Sequence, residues 1–271
     1  MSKQLESLMF VRELGTGAGT QVSLMRDVRD NKLYCKKFVS ASAENFQSQV
    51  RQLKREFEIG VENDHPALRK ATEYGIIKRK LRTVEAYNVL EYVEGIELDQ
   101  FAEGKSVAML TKIFWHVADG LYQLHQRGYV HADLKPINIL CRRNGRPTVI
   151  DFGQACPMYT KKERIQGTQD YIAKEQVKKQ ALDQRTDVFG FGATMHRIFL
   201  GRTVETALNT KLAGGSTTIN PNWREEAENL DPALMRLIKD CCQHEREDRP
   251  QNMKLVKDRL EMTFDRLSKT A

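Results

Sequence analysis

The chain has no run approaching the ~18 apolar residues of a membrane span. Its start, MSKQLESLMF, lacks the long apolar core of a signal peptide. The expectation is a soluble, cytoplasmic domain with no membrane contact within this chain, free or as the cytosolic part of a longer protein. Cysteine is scarce: Cys35, Cys141, Cys156, Cys241 and Cys242 make an odd set with no C-x-x-C pair. That argues against a disulfide framework and a zinc site, and for small buried hydrophobes in a reducing compartment. Internal repeats and low-complexity tracts are missing. So is a basic cluster interleaved with aromatics. The net charge of +7 is spread along the chain, and its densest run, KRKLR (78–82), reads as an exposed turn. No nucleic-acid partner is expected.

What is present is an ordinary globular composition, 40% hydrophobic and 29% charged over 271 residues, enough to bury a large core. Two textures follow one another. In the first third, MFVRELG, TQVSLMR and KLYCKKFV alternate as strands, with DVRDNK a hairpin connection. ENFQSQVRQLKREFEIGVEN then carries Phe46, Val50, Leu53, Phe57 and Val61 at helical spacing. TEYGIIKR and EAYNVLEYV read as further strands. Beyond EGIELDQF the texture turns helical. SVAMLTKIFWHVADGLYQLHQRG places Leu110, Phe114, Val117, Leu121 and Leu124 on one side and stops at Gly128. Most of the remainder is expected to be helix, ending in NMKLVKDRLEMTFDRL.

Several short stretches bear on chemistry. LGTGAGTQV sets glycines at 15, 17 and 19 between two strands. Their backbone can approach a ligand closely and turn N–H groups toward phosphate oxygens. No Gly-Lys-Ser/Thr follows, so this is not a Walker loop, and a plain Gly-rich hairpin turn would look the same. In LYCKKF the lysines at 36 and 37 face opposite sides of a strand, so only one can enter a site beside the glycines. Glu56 and Glu58 on the following helix are candidate partners for it. YVHADLKPINILC puts Asp133, Lys135 and Asn138 in a loop after a helix. TVIDFGQA then ends an apolar strand in Asp151-Phe152-Gly153. An Asn and an Asp at the ends of neighbouring strands suit a hard cation. A separate Asp133 can accept a hydroxyl proton, and Lys135 can offset charge on a moving phosphoryl group. Phosphoryl transfer asks for little beyond such positioning and electrostatics.

In their order and separation these stretches resemble the eukaryotic-type Ser/Thr protein kinase domain, from roughly Phe10 to Leu260. The resemblance implies an α+β, bilobal protein-kinase-like fold. A small β-rich N-lobe with one main helix (1–92) leads through a hinge (91–95) to a larger, mainly α-helical C-lobe (96–271), all one kinase domain. It implies ATP and Mg2+, which Mn2+ can replace, and a protein substrate. It leaves the oligomeric state open. By the same resemblance Leu14, Gly15, Gly17 and Val22 belong to the nucleotide-covering loop. Thr20 stands at the third glycine position and Gly19 at the tip, which makes the tip floppier. Lys37 grips phosphates, paired by Glu56 rather than Glu58, while Cys35 packs against adenine. Leu90 is the gatekeeper, the backbone of Glu91 and Val93 meets adenine, Glu97 meets ribose and Leu140 packs beneath adenine. Asp133 is the catalytic base, Lys135 the phosphate contact, and Asn138 and Asp151 the metal ligands. In GTQDYIAKE, which supports the peptide, Lys174 replaces the usual Pro. Glu175 pairs with Arg249, and Asp187 ties down the catalytic loop.

The chain departs from the pattern in two further places. Gly60 stands where the family has a bulky residue. Ala132 precedes Asp133 where many members have an Arg that pairs with a phosphate on the activation segment. KKERIQ, just before the GT of that segment, carries no hydroxyl, though Tyr159 and Thr160 lie a little earlier. Activity independent of activation-segment phosphorylation is therefore expected. A pseudokinase acting as a nucleotide-binding scaffold, and a small-molecule kinase of the same superfold, are the alternatives.

Overall fold

The computed structural model describes residues 3–17, 19–209 and 230–270. It divides into two compact units: Met1–Val93 with Asp151–Gly153, and Glu94–Ile150 with Gln154–Ala271.

The first unit opens with a short helix, α1 (Lys3–Glu6). Strands β1 (Leu8–Gly17), β2 (Thr20–Asp27), β3 (Leu33–Ser40), β4 (Ala71–Arg79) and β5 (Arg82–Glu91) follow, with one long helix, α2 (Phe46–Gly60). All strand pairs are antiparallel in the order β1-β2-β3-β5-β4. The β2–β3 hairpin is shaped by its own side chains. The Asp27 carboxylate accepts the Arg29 N–H at 2.9 Å, and Asn31 takes the left-handed conformation at φ 60° that asparagine tolerates. Val39, Leu53 and Ala86 form a buried cluster against which Phe46 and Val50 pack.

The apolar spacing in α2 misjudges its inward face. The buried residues are Gln49, Leu53, Glu56, Ile59 and Gly60. Val61 lies beyond the last helical residue, with 39% of its surface exposed. Of the predicted stripe only Leu53 is buried, and Phe46, Val50 and Phe57 lie on its flank. The inward side thus carries an acidic residue among apolar ones: Glu56 is 1% exposed, and its ionic partners are described below.

The second unit holds α3 (Leu98–Ala102), α4 (Val107–Gln126), α5 (Lys174–Val177), α6 (Gln184–Leu200), α7 (Pro232–Cys241) and α8 (Met253–Thr270). The short strands β6 (Ile96–Glu97), β8 (Ile139–Cys141) and β9 (Pro147–Val149) form one small sheet. β7 (Tyr129–Val130) pairs with β10 (Cys156–Pro157). Helix starts follow capping chemistry. The Ser106 hydroxyl accepts from Met109 N–H, Asp183 from Arg185 N–H, and Asp231 from Ala233 and Leu234 N–H. α6 ends on Gly201 at φ 63°, a left-handed stop that favours glycine. Leu110, Phe114, Val117, Leu121 and Leu124 of α4 are all buried. Phe114 meets Phe191 edge-on with centroids 5.4 Å apart. The expected helical remainder is seen in α5 to α8, and its part over 210–229 lies outside the described residues. β9 ends at Val149, so the expected strand stops short of Asp151. There the chain turns through a left-handed residue into a 3₁₀ turn, Phe152–Gln154.

Among the described residues no helix is long and apolar enough to cross a membrane. Four of the cysteines are buried and Cys242 is half-buried.

Candidate active site

In the first unit, strand alternation separates the two lysines of β3. Lys36 sits 2.6 Å from Glu85 and lies over the Phe38 ring. Lys37 points to the other face, 3.0 Å from Glu56 Oε2 and 2.7 Å from Asp151 Oδ1. Glu58 is exposed and lies 3.7 Å from Lys54, away from this group. Burial alone would lower the Lys37 pKa, but the charges of Asp151 and Glu56 outweigh it and hold it above the ordinary lysine value. Burial likewise would raise the Asp151 carboxyl. The Lys37 charge and hydrogen bond, the Arg69 charge and the Gly153 N–H together pull it well below the usual carboxylate range. Both shifts favour a charged pair.

Arg69, which no motif in the sequence marks, completes this group. It is 7% exposed, and its Nη2 donates to Glu56 Oε1 at 2.8 Å. Glu56 is thus held from two sides, one oxygen toward Lys37 and the other toward Arg69. The available signal was an arginine directly after the apolar stretch PAL (66–68) and just before a strand.

Gly60 explains how α2 sits close to the sheet without the bulky residue that the resemblance implies. A Cβ there would lie 2.8 Å from Ala71 Cβ and 3.2 Å from its backbone N, so helix and strand touch almost backbone to backbone. Leu14, Val22, Cys35 and Leu90 converge in one apolar cluster with Ala71, Phe57 and Tyr92. Burial in that cluster pushes the Cys35 thiol pKa up. Gly15 takes φ 153° at a bulge in β1, whereas nothing lies within 4 Å of a Cβ at Gly17. Thr20 is buried, pairs with Gly17 across the hairpin, and donates its hydroxyl to the Gly17 carbonyl at 2.8 Å. Glu91 N–H donates to the Lys70 carbonyl, and Val93 is buried at the end of this unit.

In the second unit the catalytic-loop residues are set by bonds to backbone. Asp187, from α6, accepts the His131 N–H at 2.7 Å, the Ala132 N–H at 2.8 Å and a 2.8 Å contact from His125 Nε2. Burial would raise this carboxyl, but the His125 hydrogen bond and charge, with those of His131, keep it below its ordinary value. The loop is thereby held with Ala132 at φ 60°, a left-handed conformation costly for a residue with a Cβ. Asp133 Oδ1 accepts from the Thr168 N–H at 3.0 Å and hydroxyl at 2.9 Å, and Oδ2 accepts from Lys135 Nζ at 3.1 Å. Lys135 also donates to Thr168 Oγ1 at 2.6 Å. Asn138 donates Nδ2 to the Asp133 carbonyl at 2.9 Å. Glu97 and Leu140 face each other in the β6–β8 register. Thr168 and His125 were also missed, since neither stands out until the loops meet.

Ala132 is enclosed by Val130, Cys156 and Leu182, with Met158 against them. Apolar side chains thus line the place beside this loop where an arginine would need a charged partner. Deeper in the unit, Glu175 and Arg249 form a bidentate pair at 2.8 and 3.0 Å with almost no exposure. The Thr186 hydroxyl and the Gln243, His244 and Arg185 carbonyls fill the remaining bonds. Buried charge of this kind is tolerated only when so fully satisfied. Lys174, in the place of the usual Pro, pairs with Glu245 on the surface.

The protein kinase domain family model matches residues 8–260, and the chain belongs to that family. It is 28% identical over 197 residues to serine/threonine-protein kinase PknB of Mycolicibacterium smegmatis, covering 69% of this chain and 31% of that protein. It is 27% identical over 197 residues to PknB of Mycobacterium tuberculosis, covering 69% and 31%. It is also 26% identical over 256 residues to cAMP-dependent protein kinase catalytic subunit 3 of Drosophila melanogaster, covering 92% and 42%. The match thus spans about a third of the PknB relatives' length, 31% of each. Family membership implies use of ATP and a divalent metal.

Proposed function

We propose that residues 1–271 act as one Ser/Thr protein kinase domain, with an N-lobe over 1–92, a hinge over 91–95 and a C-lobe over 96–271. It moves the γ-phosphoryl group of ATP to Ser or Thr hydroxyls of protein substrates. The observation that carries this reading is the Asp133 carboxylate, which already accepts an aliphatic hydroxyl, that of Thr168, at 2.9 Å while Lys135 stands beside it. A substrate hydroxyl needs the same acceptor. In the transfer its oxygen bonds to the γ-phosphorus as the bond to the β–γ bridging oxygen breaks. The hydroxyl proton passes to Asp133, and ADP leaves.

Leu14, Val22, Cys35, Leu90 and Leu140 are assigned to the adenine, with the backbone of Glu91 and Val93, and Glu97 to the ribose. Gly15 and Gly17 let the loop backbone approach the phosphates. Lys37, oriented by Glu56, and Lys135 neutralise phosphate charge. The metal is assigned as Mg2+, held by Asn138 and Asp151. The donor chemistry fits: the Asn138 nitrogen is spent on the Asp133 carbonyl, which leaves its oxygen for a hard cation. Asp151 Oδ1 is engaged by Lys37 and the Gly153 N–H, which leaves Oδ2. Magnesium commonly takes one or two protein oxygens and completes its shell with phosphates and water. Bound there, it would neutralise charge on the phosphates.

The apolar enclosure of Ala132 supports activity without a phosphate on the activation segment. Retention of every charged group disfavours a pseudokinase. The test is transfer from radiolabelled ATP to the domain itself and to casein, after phosphatase treatment. Wild type and Thr160→Ala are expected to label, and Asp133→Asn to lose at least ~100-fold. Tight ATP binding without transfer by the wild type would sink the catalytic reading. Loss of activity on dephosphorylation would sink the regulatory one.

A further inference from the structure

Gln176 stands outside every motif quoted above, yet its side chain joins three pieces of backbone. It is 6% exposed at the third position of α5. Its Oε1 accepts the Ala173 N–H at 3.0 Å, half of a capping box at the start of a one-turn helix. Its Nε2 donates to the Ala132 carbonyl at 2.8 Å and to the Gln166 carbonyl at 3.0 Å. The first carbonyl belongs to the residue before Asp133. The second lies two residues before Thr168, whose N–H and hydroxyl hold Asp133 Oδ1. Gly167, between them, has φ 132°, and a Cβ there would come within 3.1 Å of Gln176 Nε2. The chain thus leaves room for the carboxamide at the junction.

We infer that Gln176 is a positioning residue that keeps the catalytic loop and the substrate-supporting segment in register through a neutral carboxamide bridge. This rests on the kinase reading above. It does the work that a phosphate–arginine pair would do beside a residue such as Ala132, but it needs no modification. A carboxamide is suited to this, because one planar group supplies two donors and an acceptor. The Ala132 carbonyl it serves would otherwise be buried beside an apolar cluster without a donor. The consequence is a Thr168–Asp133 contact fixed as soon as the domain folds.

Two variants separate the bonds from the bulk. Gln176→Met keeps the volume and removes all three hydrogen bonds. Gln176→Glu keeps the acceptor for Ala173 and removes both donors. With casein as acceptor, both are expected to lower kcat about 10- to 100-fold, as misplacement of a reacting group does. ATP affinity, measured directly by calorimetry, is expected to stay within about 2-fold. In both variants amide hydrogen exchange over 166–168 is expected to rise at least ~10-fold, a readout that needs no activity. Unchanged exchange in Gln176→Met, or kcat within about 2-fold of wild type, would overturn the bridge. So would a parallel fall of kcat, ATP affinity and melting temperature, which would reduce Gln176 to a general structural role. An inactive wild type whose Gln176→Met variant still shows faster exchange would sink the kinase reading and leave the bridge standing.

Discussion

The two units hold their candidate groups by opposite means. In the first, charge holds charge: Lys37, Glu56, Arg69 and Asp151 form one run of ion pairs at 2.7 to 3.0 Å. In the second, the loop bearing Asp133 is held mainly through its backbone, by Asp187, Asn138 and Gln176, while Thr168 holds the Asp133 carboxylate itself. Ion pairs shared among several charges can exchange partners when a phosphate or metal arrives. Hydrogen bonds to backbone are tied to a fixed chain path. The first arrangement suits groups that must rearrange around a charged ligand, and the second suits a base whose aim must not change.

The largest effect is expected where a charge is forced into the second arrangement. Ala132→Arg would place a guanidinium among Val130, Cys156 and Leu182 with no anion in that cluster. Its expected cost is at least ~3 kcal/mol. Denaturant unfolding should show it, and a stable Ala132→Arg protein would mean that the cluster opens easily. An intermediate effect is expected from Arg69→Met, which keeps the bulk and leaves Glu56 Oε1 without its donor. The expected cost is about 1–3 kcal/mol, accompanied by a raised KM for ATP because Glu56 is then free to turn from Lys37. An unchanged KM with full stability would show that Lys37 alone orients Glu56. The smallest effect is expected from Glu58→Ala, which breaks only an exposed pair with Lys54. Its change should stay within ~0.5 kcal/mol by thermal melting. A large loss there would revive Glu58 as a functional group.

Much of the fold could be read directly. The alternating runs of the first third became the five-stranded sheet, and the α4 stripe is buried as its spacing predicts. The α2 face could not be read this way. Apolar periodicity assumes that the inward side is greasy, and here it carries Glu56 and Gln49. The placement of Lys37 beside Glu56 and Asp151, and of Lys135 beside Asp133, follows motif spacing that strand alternation and loop length preserve. Thr168 and Gln176 were out of reach for a shared reason. Each is a single polar residue whose partner lies in another segment or on the backbone. A buried hydrogen bond to a carbonyl leaves no trace in the identity of the residue that owns the carbonyl. Ala132 could be seen as an omission in the sequence. Only the packing of Cys156, Met158 and Leu182 around it shows what fills the neighbourhood instead.

The contact between Gly60 and Ala71 ties the future of two positions together. With a would-be Cβ only 2.8 Å from Ala71 Cβ, position 60 cannot take a side chain while Ala71 stays as it is. Replacing Ala71 by glycine first would remove the nearest obstacle to a methyl group at 60, leaving the backbone nitrogen of residue 71 at 3.2 Å, whereas the reverse order passes through a clash. Sequence drift at this junction is therefore directional. A side chain at 60 requires a thinner strand first, and a bulky one requires the helix and strand backbones to part as well.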